Sequence, residues 1–317
     1  MANDSALYDF PPVLIVDPDD GFVAQLADLI RSSLGCEVVR SRTLVETVEL
    51  VKTTPSQFLL ALVEPQLPDA MEGEVVDHLL ALRIPVMLFS RSFDPDDRED
   101  ILSKGVVDYV IKAGENNLQY MVRLVDRIRK NRFIHVLIVD DSRSARAHFR
   151  SLLERRLFIV HDAPSGEAAL QILREDDRIK MALVDYQMAG MDGFQLIQHI
   201  RETRSEQELV IIGISAYGNN ILSAKFIKHG ANDFICKPFL VEEFYCRVDH
   251  CVNDLETYNA LKTVYVRDFL TGLHNRFYLF EMGNRLLANP SQDSWFTVMV
   301  GVDHMKALND RFGYEIG

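Results

Sequence analysis

The chain lacks the features that would mark several common functions. Its four cysteines, Cys36, Cys236, Cys246 and Cys251, have no Cys-x-x-Cys spacing, which fits reduced, structural thiols. Nine histidines are scattered without a metal-ligand spacing and are read as surface or core residues. Basic side chains are outnumbered, 34 Lys and Arg against 47 Asp and Glu, for a net charge of −13. A nucleic-acid surface needs clustered basic groups, so no nucleic-acid partner is expected. No apolar run approaches the roughly 20 residues that span a bilayer. The start, Met1-Ala-Asn-Asp-Ser5, has no basic-then-apolar signal, so no membrane partner and a cytoplasmic location are expected. What remains is a 317-residue chain, 48% hydrophobic, suited to two or three globular domains.

Within it, four short apolar runs each end on a polar residue. Val136-Leu-Ile-Val139 stops at Asp140-Asp141, Met181-Ala-Leu-Val184 at Asp185, Leu209-Val-Ile-Ile-Gly-Ile214 at Ser215, and Phe234-Ile-Cys236 at Lys237. Their length and β-branched content predict buried parallel strands. In an open α/β sheet the carboxyl ends of such strands line one crevice, so three acids, a hydroxyl and an ammonium are expected to converge. Crowded carboxylates repel, and a hard divalent cation with oxygen ligands relieves that repulsion. A lysine and a hydroxyl opposite could hold the oxygens of a phosphoryl group.

This pattern resembles the receiver domain of two-component response regulators over residues 135–254, including Met188-Ala-Gly-Met-Asp-Gly193 and Lys237-Pro238-Phe239. The resemblance implies that Asp185 accepts a phosphoryl group from a histidine kinase or phosphotransfer protein. It further implies that Asp140, Asp141, Asp185 and the Gln187 backbone carbonyl hold Mg²⁺, Asp140 acting through water. Ser215 and Lys237 would bind phosphoryl oxygens, and Phe234 stands at the family's switch-aromatic position.

The same stations recur nearer the start. Val13-Leu-Ile-Val-Asp17 echoes Val136 to Asp140, Ala61-Leu-Val-Glu-Pro-Gln66 echoes Ala182 to Gln187, Ser90 echoes Ser215, and Tyr109-Val-Ile-Lys112 echoes Phe234 to Lys237. A second receiver-like fold is therefore expected over residues 12–130. Its chemistry differs: Asp17-Pro18 replaces the acid pair, Glu64 stands at the acceptor position, and Ala113 replaces the proline after the lysine. Tight Mg²⁺ binding and phosphorylation are not expected at this degenerate site of Asp17, Glu64, Ser90 and Lys112, although Asp19 and Asp20 could restore some metal binding. Three readings stay open: a docking face, a Glu64–Lys112 pair mimicking a charged acceptor, or a decayed duplicate kept because it packs. Residues 117–133 read as an amphipathic helix running into the next strand, a short joint that holds the two domains in a defined relation.

After the second repeat, residues 240–265 contain no Gly or Pro and carry Phe244, Val248, Cys251, Leu255 and Tyr258 at helical spacing, suited to pairing with a partner helix in a homodimer. Then Asp268-Phe-Leu-Thr-Gly-Leu-His-Asn-Arg276 resembles the opening motif of diguanylate cyclase (GGDEF) domains. The expected strand Phe296-Thr-Val-Met-Val300 and the segment Asp303 to Gly317 resemble that family's first strand and helix. The resemblance implies GTP as substrate, cyclic di-GMP as product, Asn309 on the guanine edge and the turn Val302 to Met305, with Asp303, near phosphates. Gly301 stands where the family carries a metal-binding acid, so an inactive, GTP- or partner-binding output stays open beside an active cyclase. The Gly-Gly-Asp-Glu-Phe hairpin is expected beyond residue 317, which reads the sequence as a truncated piece.

The expected architecture is α/β: two flavodoxin-like (βα)₅ doubly wound parallel-sheet receiver domains in tandem, residues 1–131 degenerate and 132–254 phosphorylatable. A helical linker at 255–267 and the start of an α+β GGDEF domain at 268–317 follow. Transcriptional control is disfavoured, because no basic helix-turn-helix segment follows the second receiver.

Overall fold

The computed structural model describes residues 10–54, 58–90, 104–112, 115–216, 220–268, 270–288 and 298–313. Two compact units emerge, residues 1–256 and 257–317.

The first unit holds two parallel sheets. Strands β1 (Val13–Val16), β2 (Val38–Ser41), β3 (Leu60–Val63), β4 (Val86–Ser90) and β5 (Asp108–Ile111) lie in the order β2-β1-β3-β4-β5. They are flanked by α1 (Asp20–Leu34), α2 (Leu44–Thr53), α3 (Glu74–Ala81) and α4 (Glu115–Asn131). The second sheet repeats the plan with β6 (His135–Val139), β7 (Ile159–Ala163), β8 (Ile179–Asp185), β9 (Val210–Ser215) and β10 (Asp233–Cys236), ordered β7-β6-β8-β9-β10. Its helices are α5 (Arg143–Arg155), α6 (Gly166–Glu175), α7 (Gly193–Arg201), α8 (Asn220–Lys228) and α9 (Val241–Val266). Both orders are the flavodoxin-like one, which places the reversal of strand order beside β1 and beside β6.

The strands read as unbroken apolar runs because both faces of each sheet are covered. Val136, Ile138, Met181 and Leu183 pack with Phe149 and Leu153 of α5 and with Phe244 and Val248 of α9. Their neighbours Leu137, Val139 and Val184 point to the other face, against Ala169, Leu196, Ile197 and Phe226. Each strand thus alternates between two cores rather than between core and water. Helix starts follow local chemistry: Thr43, Ser142 and Ser165 cap α2, α5 and α6 through their hydroxyls, and Asp192 forms a capping box with Gln195 at α7.

The expected helix between the two repeats is α4, and β6 begins four residues after it ends. Polar contacts reinforce this short joint. Arg127 of α4 makes a two-point pair with Glu256 of α9, at 2.7 and 3.0 Å, and also binds Asn253. Residues 1–256, with both sheets, accordingly group as one compact unit.

In the second unit the opening motif is a structural turn. Asp268 Oδ1 accepts from the Thr271 amide at 3.0 Å and its hydroxyl at 2.8 Å, while Gly272 takes a left-handed φ of 68°. Asn275 caps α10 (Arg276–Ala288) by accepting from the Tyr278 amide, and its own amide group donates back to the Tyr265 carbonyl. Helix α11 (Met305–Phe312) forms as expected. The expected strand at 296–300 needs correction where it can be seen: residues 298–300 have no regular secondary structure and are 80–95% exposed. An apolar run becomes a strand only when a neighbour completes its hydrogen-bond ladder, and no strand among the described residues pairs with this one. Residues 296–297, 314–317, Phe269 and Ala113 lie outside the described residues. Among the described residues, no helix is long and apolar enough to cross a membrane.

Candidate functional site

The carboxyl ends of β6, β8 and β10 deliver Asp140, Asp185 and Lys237 to one pocket. Lys237 Nζ donates to Asp185 Oδ1 at 2.9 Å and to Asp140 Oδ2 at 3.2 Å. Each acid is further oriented by a backbone amide two residues on: Ser142 N donates to Asp140 Oδ1 at 2.8 Å, and Gln187 N to Asp185 Oδ2 at 2.9 Å. Asp141 lies at the exposed lip, its Oδ2 accepting from the Ala189 amide at 3.3 Å. Ser215 ends β9, is buried, and sits in register with Cys236, one residue before Lys237. Phe234 is buried against Phe226, with ring centroids 5.1 Å apart.

The electrostatics follow from two buried acids sharing one ammonium. Burial pushes the Asp185 carboxyl above its ordinary range, Lys237 opposes this and Asp140 adds to it. Burial alone would lower Lys237, but the hydrogen bond and charge of Asp185, then of Asp140, more than offset it and hold the ammonium above its usual value. The cation gains from both acids, whereas Asp185 meets desolvation and its neighbour. Two carboxylates face one lysine and a third, Asp141, lies at the lip; this all-oxygen, net negative donor set fits a hard ion such as Mg²⁺ and not a soft one.

Three further residues shape the site, of which only Gly193 belongs to the sequence pattern above. Arg146 of α5 donates to the carbonyls of Asp140 and Asp141, at 2.7 and 3.2 Å, and fixes the backbone of the acid pair. The Phe149 ring lies 5.5 Å from Lys237 Nζ. Gly193 opens α7 so close to the acceptor strand that a Cβ there would stand 2.5 Å from the Asp185 carbonyl oxygen. An arginine in the first turn of the helix after an acid pair was the available clue to Arg146.

The first sheet builds the same frame around different groups. Asp17, Glu64, Ser90 and Lys112 are brought together at its carboxyl edge. Lys112 N donates to the Ser90 carbonyl at 2.7 Å, as Lys237 N does to Ser215 at 2.8 Å. Lys112 Nζ binds Glu64 at 2.6 Å and Asp17 at 2.7 Å, with its side chain 4% exposed against 28% for Lys237. The rings of Phe89 and Phe22 lie 4.8 and 5.3 Å from the ammonium. Asp19 and Asp20 are engaged elsewhere, Asp19 as the cap of α1 and Asp20 in a 2.9 Å pair with Arg42.

Asp303 and Asn309 belong to the second unit, not to either pocket. Asp303 is exposed in the turn before α11, and Asn309 is half-buried within α11 with its Oδ1 unpaired. A Cβ at Gly301 would meet no atom within 4 Å.

Comparison with known proteins places these features. The family model of the response regulator receiver domain matches residues 136–249, and that of the diguanylate cyclase GGDEF domain matches residues 265–317. Two solved structures of two-component system response regulator/GGDEF domain proteins are 39% identical. Each covers 78% of this chain and 99% of its own, with TM-scores of 0.71 and 0.70. The two-component response regulator ORR5 of Oryza sativa subsp. japonica is 32% identical over 104 residues, 33% of this chain and 78% of the relative. The heme response regulator HssR of Staphylococcus epidermidis is 34% identical over 115 residues, 36% of this chain, and the match spans 50% of HssR. On these matches, and with an acid-lined pocket at the edge of its second sheet, the chain belongs to the response regulators of two-component systems.

Proposed function

We propose that this response regulator is phosphorylated on Asp185 by a histidine kinase or phosphotransfer protein, and that this event governs a GGDEF output. The observation that carries the reading is the single ammonium of Lys237 held between Asp185 and Asp140. In the transfer, a carboxylate oxygen of Asp185 forms a bond to phosphorus as the phosphorus–nitrogen bond of the donor phosphohistidine breaks. The electron pair leaves with the imidazole nitrogen, which takes a proton from solvent. Lys237 orients the carboxylate before transfer, and with the Ser215 hydroxyl holds phosphoryl oxygens after it. Asp140, Asp141, Asp185 and the Gln187 carbonyl are the groups that would hold Mg²⁺, which when bound offsets the charge of the incoming phosphoryl group. Repositioning of Ser215 and Phe234 toward the new charge is the route by which the surface near β10 and α9 changes.

The first sheet domain, residues 12–130, is read as a receiver-like domain that is not phosphorylated. Lys112 is buried and already shared by two acids, and Pro18 removes the third. Of the readings open for it, mimicry of a charged acceptor draws support from the 2.6 Å Glu64–Lys112 pair. Homodimer formation draws support from α9. Phe244, Val248, Cys251 and Leu255 are buried on the second sheet domain, but Tyr258, Leu261 and Tyr265 continue the stripe exposed, as a partner helix requires.

For the output, synthesis of cyclic di-GMP from two GTP is the first reading, and a GTP- or partner-binding module without catalysis is the second. Gly301 favours the second, since the missing carboxylate is a chemical loss at a place with room for one. Phosphodonor labelling tests the regulator: wild type takes up phosphate in the presence of Mg²⁺ and Asp185→Asn does not. Incubating the full-length protein with GTP and Mg²⁺, with and without beryllofluoride, separates the outputs, since only a cyclase yields product that rises with the phosphoryl mimic.

A further inference from the structure

We propose that His135, His161 and Asp176 form a separate cation site that takes a borderline divalent ion such as Zn²⁺ through two imidazole nitrogens and one carboxylate oxygen, with water as the fourth ligand. His135 opens β6, His161 lies on the neighbouring edge strand β7, and Asp176 is the C-cap of α6. The three ligand atoms all lie within 4.8 Å of one another. This site is at the amino end of β6, whereas Asp140 follows its carboxyl end, so the two cation sites are separated by roughly 16 Å of strand.

The donor set distinguishes the two. Oxygen-only ligands at Asp140, Asp141 and Asp185 suit Mg²⁺, while imidazole favours zinc, nickel and copper. His135 Nδ1 and His161 Nε2 face each other at 2.9 Å, with the rings stacked at 5.2 Å between centroids. Asp176 Oδ2 is 3.9 Å from His135 Nδ1. Two nitrogens on a tetrahedral zinc, each about 2.0–2.1 Å from it, stand roughly 3.3 Å apart. The imidazole nitrogens must part by about 0.4 Å, and Asp176 must close by about 0.6 Å on His135 and by up to about 1.5 Å on His161.

Without an ion, one hydrogen lies between the facing nitrogens. To bind both, that ring moves its hydrogen to its other nitrogen through solvent, so a neutral pair switches tautomer with no net proton release. Arg178 competes for the carboxylate, donating to both oxygens of Asp176 at 2.9 Å. Its side chain is 72% exposed and can release one carboxylate oxygen to the ion. Such an ion would tie the edge strand β7 to β6 and to the end of α6.

The test is calorimetric titration of the full chain with Zn²⁺ under saturating Mg²⁺, alongside Co²⁺ titration for visible absorption of a four-coordinate ion. The expected result is one equivalent bound by wild type and by Asp185→Asn. Affinity falls at least tenfold in His161→Ala and in Asp176→Asn, with the Co²⁺ band lost, and is unchanged in His250→Ala, an exposed histidine on α9. His161 and Asp176 are only half-buried, so both variants are expected to fold, and circular dichroism checks this. Wild type without a bound equivalent, or equal affinity in wild type and both ligand variants, overturns the proposal.

Discussion

Arg156 and Asp108 form a 2.9 Å ion pair between the two sheet domains of the first unit. The same guanidinium holds Asp249 of α9 at 2.7 Å and lies over the Tyr245 ring, its central carbon 3.7 Å from the centroid. Tyr120 of α4 donates to Asp108 at 2.9 Å, and Asn131 donates to the Arg156 carbonyl at 3.0 Å. One buried cation therefore connects the last strand of the first domain, the connector helix and the helix that leads to the second unit. The planar fork of arginine is what allows two acids to be held at once.

Removing that cation leaves two carboxylates at a largely dry joint. Arg156→Ala is expected to cost about 3–5 kcal/mol, the range for breaking a buried pair from one side. The double variant Arg156→Ala/Asp108→Ala should recover part of the loss, because one stranded charge is gone. Urea unfolding followed by circular dichroism reads both values. A loss under about 1 kcal/mol, the scale of an exposed pair, would show that water already screens the joint.

The two lysine pockets should respond unequally. Lys112 is 4% exposed between Asp17 and Glu64, whereas Lys237 is 28% exposed between Asp140 and Asp185. Lys112→Met strands two buried acids and is expected to cost about 3–5 kcal/mol. Lys237→Met is expected to cost less than half of that, since water reaches its pocket. At about 2–4 °C per kcal/mol for domains of 150–250 residues, thermal melts separate the two, and equal melting points would refute the difference in burial.

Burial raises the Asp185 carboxyl, and the sign of its effect on stability follows. The folded form holds its proton to higher pH than the unfolded chain. The favourable contribution is therefore complete below the unfolded value of about 3.9 and is lost as pH rises through the folded value. At neutral pH without Mg²⁺, Asp185→Asn is expected to melt above wild type. Adding Mg²⁺ should raise wild type and leave the variant nearly unmoved, because only a ligand bound to the folded form stabilises it. A wild type that melts above the variant in metal-free buffer would mean that Lys237 fully offsets the burial of the acid.

The strands and the pocket were legible because each carries a local mark. Runs such as Val136 to Val139 lie buried on both faces, and a polar stop at the end of such a run has one edge to occupy. The Arg156–Asp108 pair has no such mark, since its partners lie 48 positions apart on elements whose docking is decided by the joint between domains. The proximity of His135 and His161 likewise leaves no mark in the sequence, because it arises from strand register and not from spacing. The run at 296–300 shows the opposite failure. Its composition suits a strand, but 298–300 are coil, for a strand is completed by its neighbour and not by its own residues.

Gly193 supplies the last prediction, linking a loop motif to the acceptor. In Met188-Ala-Gly-Met-Asp-Gly193, Gly190 takes a left-handed φ of 83° and Asp192 caps α7. Gly193 then donates its amide to the Tyr186 carbonyl at 3.0 Å. An added Cβ would meet the Asp185 carbonyl oxygen at 2.5 Å and the Tyr186 Cα at 3.1 Å. Both neighbours are backbone, so neither can swing aside, and relief requires β8 and α7 to separate. Gly193→Ala is expected to destabilise by about 1–3 kcal/mol, as overpacking does. It should also slow phosphate uptake at Asp185, whose carboxylate is aimed by the Gln187 amide in the same loop. Labelling under conditions where the variant is fully folded isolates the second effect. An uptake rate equal to wild type there would show that the loop packs against the acceptor without positioning it.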